Sequence, residues 1–113
     1  MTAISSTLFR SANIEHLNGD LLYARCYDSS LLRCFDLEKK EVIWELRLRS
    51  PILETIVADN QMLARLHDGL AYINLMSGKA VHYLRIPDIV RLHQFNNHII
   101  LHKKNNQSEI IHG

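Results

Sequence analysis

Cysteine, proline and glycine are all scarce in this chain, and each scarcity closes off a class of protein. Two cysteines, Cys26 and Cys34, in 113 residues allow at most one bridge, which excludes a disulfide framework. If they flank a hairpin turning at Asp28-Ser29-Ser30, Cys34 falls opposite Ala24 and Cys26 opposite Arg33 or Leu32. The expectation is therefore two buried free thiols acting as small hydrophobes in a reducing compartment. Four glycines leave no phosphate-cradling glycine loop, and no G-x-S-x-G nucleophile turn occurs. Helix signals are lacking too, since no window joins apolar spacing of three and four to a cap. No apolar run approaches the roughly 18 residues of a membrane-spanning helix. The opening MTAISSTLFRSA has neither the charged nor the apolar region of a secretion signal, so a soluble cytoplasmic protein is expected. Charge of one sign is missing as well: 13 Lys and Arg against 12 Asp and Glu give +1. Such a balance generates no field to draw nucleic acid or an anionic membrane, and neither is an expected partner.

What the chain does contain is a repeated strand–turn–strand pattern. LLRCFDLEKKEVIWEL at residues 31–46 returns as LAYINLMSGKAVHYL at residues 70–84. In both, alternating apolar side chains lead into a polar turn and out again, which is a β-hairpin. Asp36 and Asn74, 38 positions apart, start the two turns, and each side chain can bond its own backbone. Arg25 and Arg65 recur at 40, and the loss of two residues falls between these anchors, where Asp28-Ser29-Ser30 shrinks to Asp68-Gly69. A third copy follows, with Asn60-Gln61-Met62-Leu63 matched by Asn97-His98-Ile99-Ile100 and Tyr72-Ile73 by Ile110-Ile111.

The resulting expectation is an all-β chain of repeated four-stranded antiparallel sheets, with repeats at about 14–50, 52–86 and 89–113. Residues 5–11 form a spare outer strand before the first repeat. Strands are expected at 14–17, 20–27, 31–36 and 41–48, then 52–57, 61–66, 70–74 and 79–86, then 89–94, 98–102 and 108–112. Trp44, Leu46 and Leu48 alternate with Glu45, Arg47 and Arg49, the pattern of a half-exposed outer strand. Pro51 and Pro87 end the outer strands of the first two repeats, where a missing N–H breaks the ladder.

A period near 40 with four strands per unit is what β-propeller blades look like. More narrowly, the first copy resembles the PQQ-type repeat of quinoprotein-like propellers through Leu22, Tyr23, Ala24, Asp28, Leu32, Asp36, Val42 and Trp44. The second copy carries the match at Asp68, Gly69, Leu70, Ser77, Gly78 and Lys79, and WD-repeat blades are similar too. His82 stands where Trp44 would recur, and residues 38–41 lack the Thr-Gly step, so the repeats have drifted. The resemblance implies three blades of a propeller and, since the adjacent cysteines and calcium ligands of quinone-binding members are absent, no cofactor. It implies a non-catalytic scaffold for protein–protein interaction, the alternative being a propeller that binds a small ligand or carbohydrate. In that alternative Trp44, Tyr72, Tyr83 and Phe95 are the conspicuous aromatics, with Trp44 expected to pack within its blade.

Three blades are too few to close a ring that typically holds four to eight. Either the chain is a fragment of a longer protein, or two copies join into a six-bladed homodimer by strand exchange. In the second case Thr7, Leu8 and Phe9 of one copy pair with Glu109, Ile110 and Ile111 of the other. Seven histidines raise the question of a metal, but His98 and His102, on one strand face, lie about 13 Å apart at 3.3 Å per residue. That is too far to share an ion, and His93 reaching His102 across a hairpin has no third ligand, so no metal site is expected. Asp28 and Asp68 recur as turn formers, not catalysts, because a residue repeated in every blade gives no asymmetric site. Arg25 and Arg65 are expected to stack on Tyr23 or pair with the turn aspartates.

Overall fold

A computed structural model describes residues 12–26, 28–96 and 98–112, which form strands and turns with no helix among them. The strands are β1 (Ala12–Asn18), β2 (Leu21–Cys26), β3 (Leu31–Asp36), β4 (Glu41–Arg47), β5 (Glu54–Ala58), β6 (Gln61–Leu66), β7 (Gly69–Asn74), β8 (Lys79–Arg85), β9 (Ile89–Phe95), β10 (His98–Lys103) and β11 (Ser108–His112). They build three antiparallel sheets, β1-β2-β3-β4, β5-β6-β7-β8 and β11-β10-β9, each a meander of sequential hairpins. The expected all-β fold of propeller-type blades is what the chain adopts. The spare strand expected at residues 5–11, including Thr7, Leu8 and Phe9, lies outside the described residues. The chain divides into two compact units, Met1–Pro51 and Ile52–Gly113.

In the first unit the two middle strands are buried on both faces while β4 alternates between exposed and half-buried. That contrast is written in the sequence, since β2 and β3 are nearly continuous apolar runs and β4 places a charge at every second residue. Leu22, Ala24, Cys26, Leu31 and Phe35 make one cluster, joined by Leu37 and Val42. On the other face Tyr23 pairs with Cys34 and Cys34 with Trp44. The Trp44 and Tyr23 rings lie 5.9 Å apart, and His16 stacks on Tyr23 from β1. Trp44 thus packs within its own blade, as expected. A bulge between Cys34 and Phe35 inserts Ile43 into β4, and the same irregularity recurs between Tyr72 and Ile73, where Tyr72 faces His82 and Ile73 faces Ala80.

Turn chemistry repeats with the sheets. The Asp36 carboxylate accepts from the amides of Glu38 and Lys39, each at 3.0 Å, and the Asn74 side-chain carbonyl accepts from Met76 and Ser77 at 2.9 and 3.2 Å. These are the local bonds expected of those residues. Lys40, at φ +57°, occupies the left-handed position that Gly78 holds at +70° in the second sheet. Backbone closure repeats as well: Leu37 N–H donates to the Asp20 carbonyl and Leu75 N–H to that of Asn60, both at 2.8 Å.

Three expectations shift by a residue or two. Cys34 faces Tyr23 and Cys26 faces Leu31, a register displaced from the one that a turn at Asp28-Ser29-Ser30 would set. Gly19-Asp20 forms the first turn and Asn18 is the last residue of β1. The loop before β7 is His67-Asp68, which makes Gly69 a strand residue paired with Leu66 and Arg85.

In the second unit Leu63 and Leu70 pack against Leu92, Ile99 and Leu101, so one face of the third sheet lies on the second. At about 2 kcal/mol for each large apolar side chain removed from water, this contact holds the two sheets together.

Two predictions follow from this geometry. A Cβ at Gly69 would sit 2.0 Å from the Leu84 carbonyl oxygen, whereas at Gly19, φ +60°, it would meet nothing within 4 Å. Asp59 and Asn96 hold the Gly19 position in the other two sheets at φ +56° and +54°. In urea titrations Gly69→Ala should lose roughly 3 kcal/mol or more, and Gly19→Asn less than about 0.5 kcal/mol. The second prediction concerns the thiols: Cys26 and Cys34 are free and buried, and burial pushes both above their ordinary value of 9.0. Native protein at pH 8 should react with a thiol reagent only as fast as it unfolds. A raised folded-state pKa also means that the stability gained from neutral thiols is complete below the unfolded-chain value and is lost as pH climbs through the folded one.

Candidate functional site

Each sheet places a cation-capable residue near the end of its second strand, and what faces it differs from sheet to sheet. In the second sheet Glu54 of β5 lies directly across from Arg65 of β6, with Arg65 Nε 2.8 Å from Glu54 Oε1. In the first, Asn13 is the cross-strand neighbour of Arg25, and Glu15, the extra residue of a bulge in β1, reaches Arg25 Nε at 2.5 Å. Both arginines therefore pair with first-strand glutamates, partners that were not among those expected. The repeat of the arginines was legible. The carboxylates were missed because they stand at an offset of 39, one short of the arginine offset, and one is reached only through a bulge.

Glu54 has a second role. Its Oε1 also accepts the Leu92 amide of β9, so a single carboxylate binds a cation in its own sheet and the backbone of the next. A charged acceptor shared by two donors is stronger than a neutral one.

In the third sheet the pattern inverts. Arg91 takes the register position of Glu54, and His102 that of Arg65. Among the described residues no carboxylate pairs with either. With Val90 they line a groove of about 310 Å³. His102 Nδ1 is 3.2 Å from the Ser108 hydroxyl, and the His93 and His102 rings meet edge to face at 6.3 Å, the approach across the hairpin that was expected. No group of three or more histidine, cysteine, aspartate or glutamate side chains could hold a metal ion among the described residues.

Of the residues expected to mediate self-association, three fall among the described residues. Glu109, Ile110 and Ile111 lie on β11, whose ladder partner is β10 and whose other edge carries no strand among the described residues. Ile110 is 67% exposed, whereas Ile111 packs on the cluster of Leu92 and Leu101, and Glu109 pairs with Lys103 at 2.8 Å. Ile110, Ile100 and His93 share the face opposite that cluster through their register, and Phe95 on β9 is 60% exposed. Asp28 and Asp68 sit in turns. The Ser30 hydroxyl and amide donate to Asp28 Oδ1, and the hydroxyl above all holds its carboxyl below the ordinary range.

No family model matches the chain, and no curated protein does. Solved structures do. Hsv2 of Kluyveromyces lactis superposes with a TM-score of 0.73 at 14% identity, over 90% of this chain and 33% of that one. The WD40 domain of Toxoplasma gondii coronin gives 0.67 at 14% identity, over 89% and 30%. BamB from Moraxella catarrhalis gives 0.60 at 13% identity, over 91% and 35%. The chain thus has the WD- and PQQ-like propeller fold and spans about a third of the length of these structures.

The Glu54 bridge predicts a contrast in stability. Glu54→Gln, which leaves a half-buried Arg65 without its charged partner, should cost about 1–2 kcal/mol by urea denaturation. Asp88→Asn removes only the exposed 3.9 Å pair with Lys104 and suits the local φ of +64°, so its cost should stay below about 0.5 kcal/mol.

Proposed function

We propose that this chain supplies three blades of a β-propeller that serves as a non-catalytic scaffold for protein–protein interaction, and that a second copy completes the ring. The observation that carries this reading is the third sheet. Among the described residues it has three strands where the others have four, no strand beside the outer edge of β11, and exposed Ile110 and Phe95 on the face turned away from the second sheet. An open strand edge beside apolar side chains is a template for pairing with another chain. Propeller rings of the matched length hold about three times as much chain, which leaves blades to be supplied from elsewhere. Residues 5–11 have the composition of an outer strand, and in a second copy they would provide the fourth strand against Glu109, Ile110 and Ile111.

Propellers act on partners chiefly through loops displayed on a rigid ring. The recurring aspartates here are engaged in turns and the thiols are buried, which favours binding over catalysis.

Light scattering after size exclusion tests the assembly. The full chain should give about twice 13.1 kDa, and deletion of residues 1–11 should return it to the monomer mass. Ile110→Lys, at an exposed position where folding is not at stake, should do the same. A full chain that runs as a monomer would overturn the two-copy ring.

A further inference from the structure

We propose that the groove between β9 and β10 is an oxyanion site, filled by a free phosphate-class anion held by Arg91 and His102. The argument starts from what the equivalent position does in the second sheet. There Glu54 brings a carboxylate to Arg65, and the cation is neutralised within the blade. In the third sheet the acidic position is Arg91 and the basic one His102, so two cation-capable side chains face each other across the ladder. Of the acids near this sheet, Glu109 pairs with Lys103 at 2.8 Å and Asp88 lies 3.9 Å from Lys104. Among the described residues no carboxylate does for Arg91 and His102 what Glu54 does for Arg65, and an anion from solution can take that place.

The groove has the dimensions for it. About 310 Å³ is at the small end of ligand pockets, enough for a compact anion and its water. Arg91 is exposed at its wall, and a guanidinium offers the forked donors that match two oxygens of one anion. His102 Nδ1 lies 3.2 Å from the Ser108 hydroxyl, and when that hydroxyl donates to it the ring proton sits on Nε2, a donor that an anion can use. The site is formed by one copy alone and does not rest on the assembly proposed above.

The test titrates inorganic phosphate into the full chain at constant ionic strength, followed by amide and imidazole NMR shifts. Saturable shifts confined to Arg91, His102 and their strand neighbours are expected. The double variant Arg91→Glu with His102→Arg copies the Glu54–Arg65 pair, so it should keep the β-sheet circular dichroism while weakening phosphate binding by at least about tenfold. Lys104→Ala should leave binding unchanged. Absence of saturable shifts, shifts that survive the double variant, or shifts spread evenly over Lys103 and Lys104 would each overturn the site. So would a chain that ignores phosphate but loses its dimer mass on Arg91→Glu, because the anion would then be a carboxylate of the second copy.

Discussion

Packing of Leu63 and Leu70 against Leu92, Ile99 and Leu101 is the contact on which the second unit depends. A four-stranded meander has two faces, and β6 and β7 are apolar on both, so a single sheet of this composition cannot keep its middle strands dry alone. The third sheet covers one face, and among the described residues its own far face and the outer edge of β11 have no strand against them. Glu54 reinforces the same contact electrostatically, since its carboxylate joins Arg65 to the backbone of β9.

Repetition and drift act on different layers of the blade. Hydrogen bonds that close turns are preserved in kind, with Asp36 and Asn74 making the same local bonds and Lys40 adopting a backbone conformation that Gly78 reaches more easily. The aromatic contact on the outer strand persists in another form, Trp44 against Tyr23 in one sheet and His82 near Tyr72 in the next. Charge is what changes. Two sheets neutralise their second-strand arginine, and the third replaces the pair with Arg91 and His102. Backbone geometry tolerates little variation, whereas a side-chain pair at a strand end can be inverted without disturbing the ladder.

The proposed roles draw on separate parts of this third sheet. Assembly uses the edge of β11 and the apolar side chains Ile110 and Phe95, while the anion site uses the strand end where Val90, Arg91 and His102 meet. Nothing in either requires a reaction, and the nucleophilic candidates, Cys26 and Cys34, are buried with their thiols kept neutral.

Strand identity, the four-strand repeat and the turn formers were determined by the sequence alone, because strand alternation and self-bonding Asp and Asn side chains act over a few residues. Register and pairing were not. Whether Cys34 faces Ala24 or Tyr23 depends on the length of one loop, and a slip of one residue moves a side chain to the other face. The bulge that carries Glu15 to Arg25 and the bond from Glu54 to the Leu92 amide join residues by geometry that no local spacing encodes. Arg91 and His102 are unremarkable as letters. They become a site only when the ladder sets them opposite each other in the place where another sheet keeps a glutamate and an arginine, because charge complementarity is a property of neighbours in space.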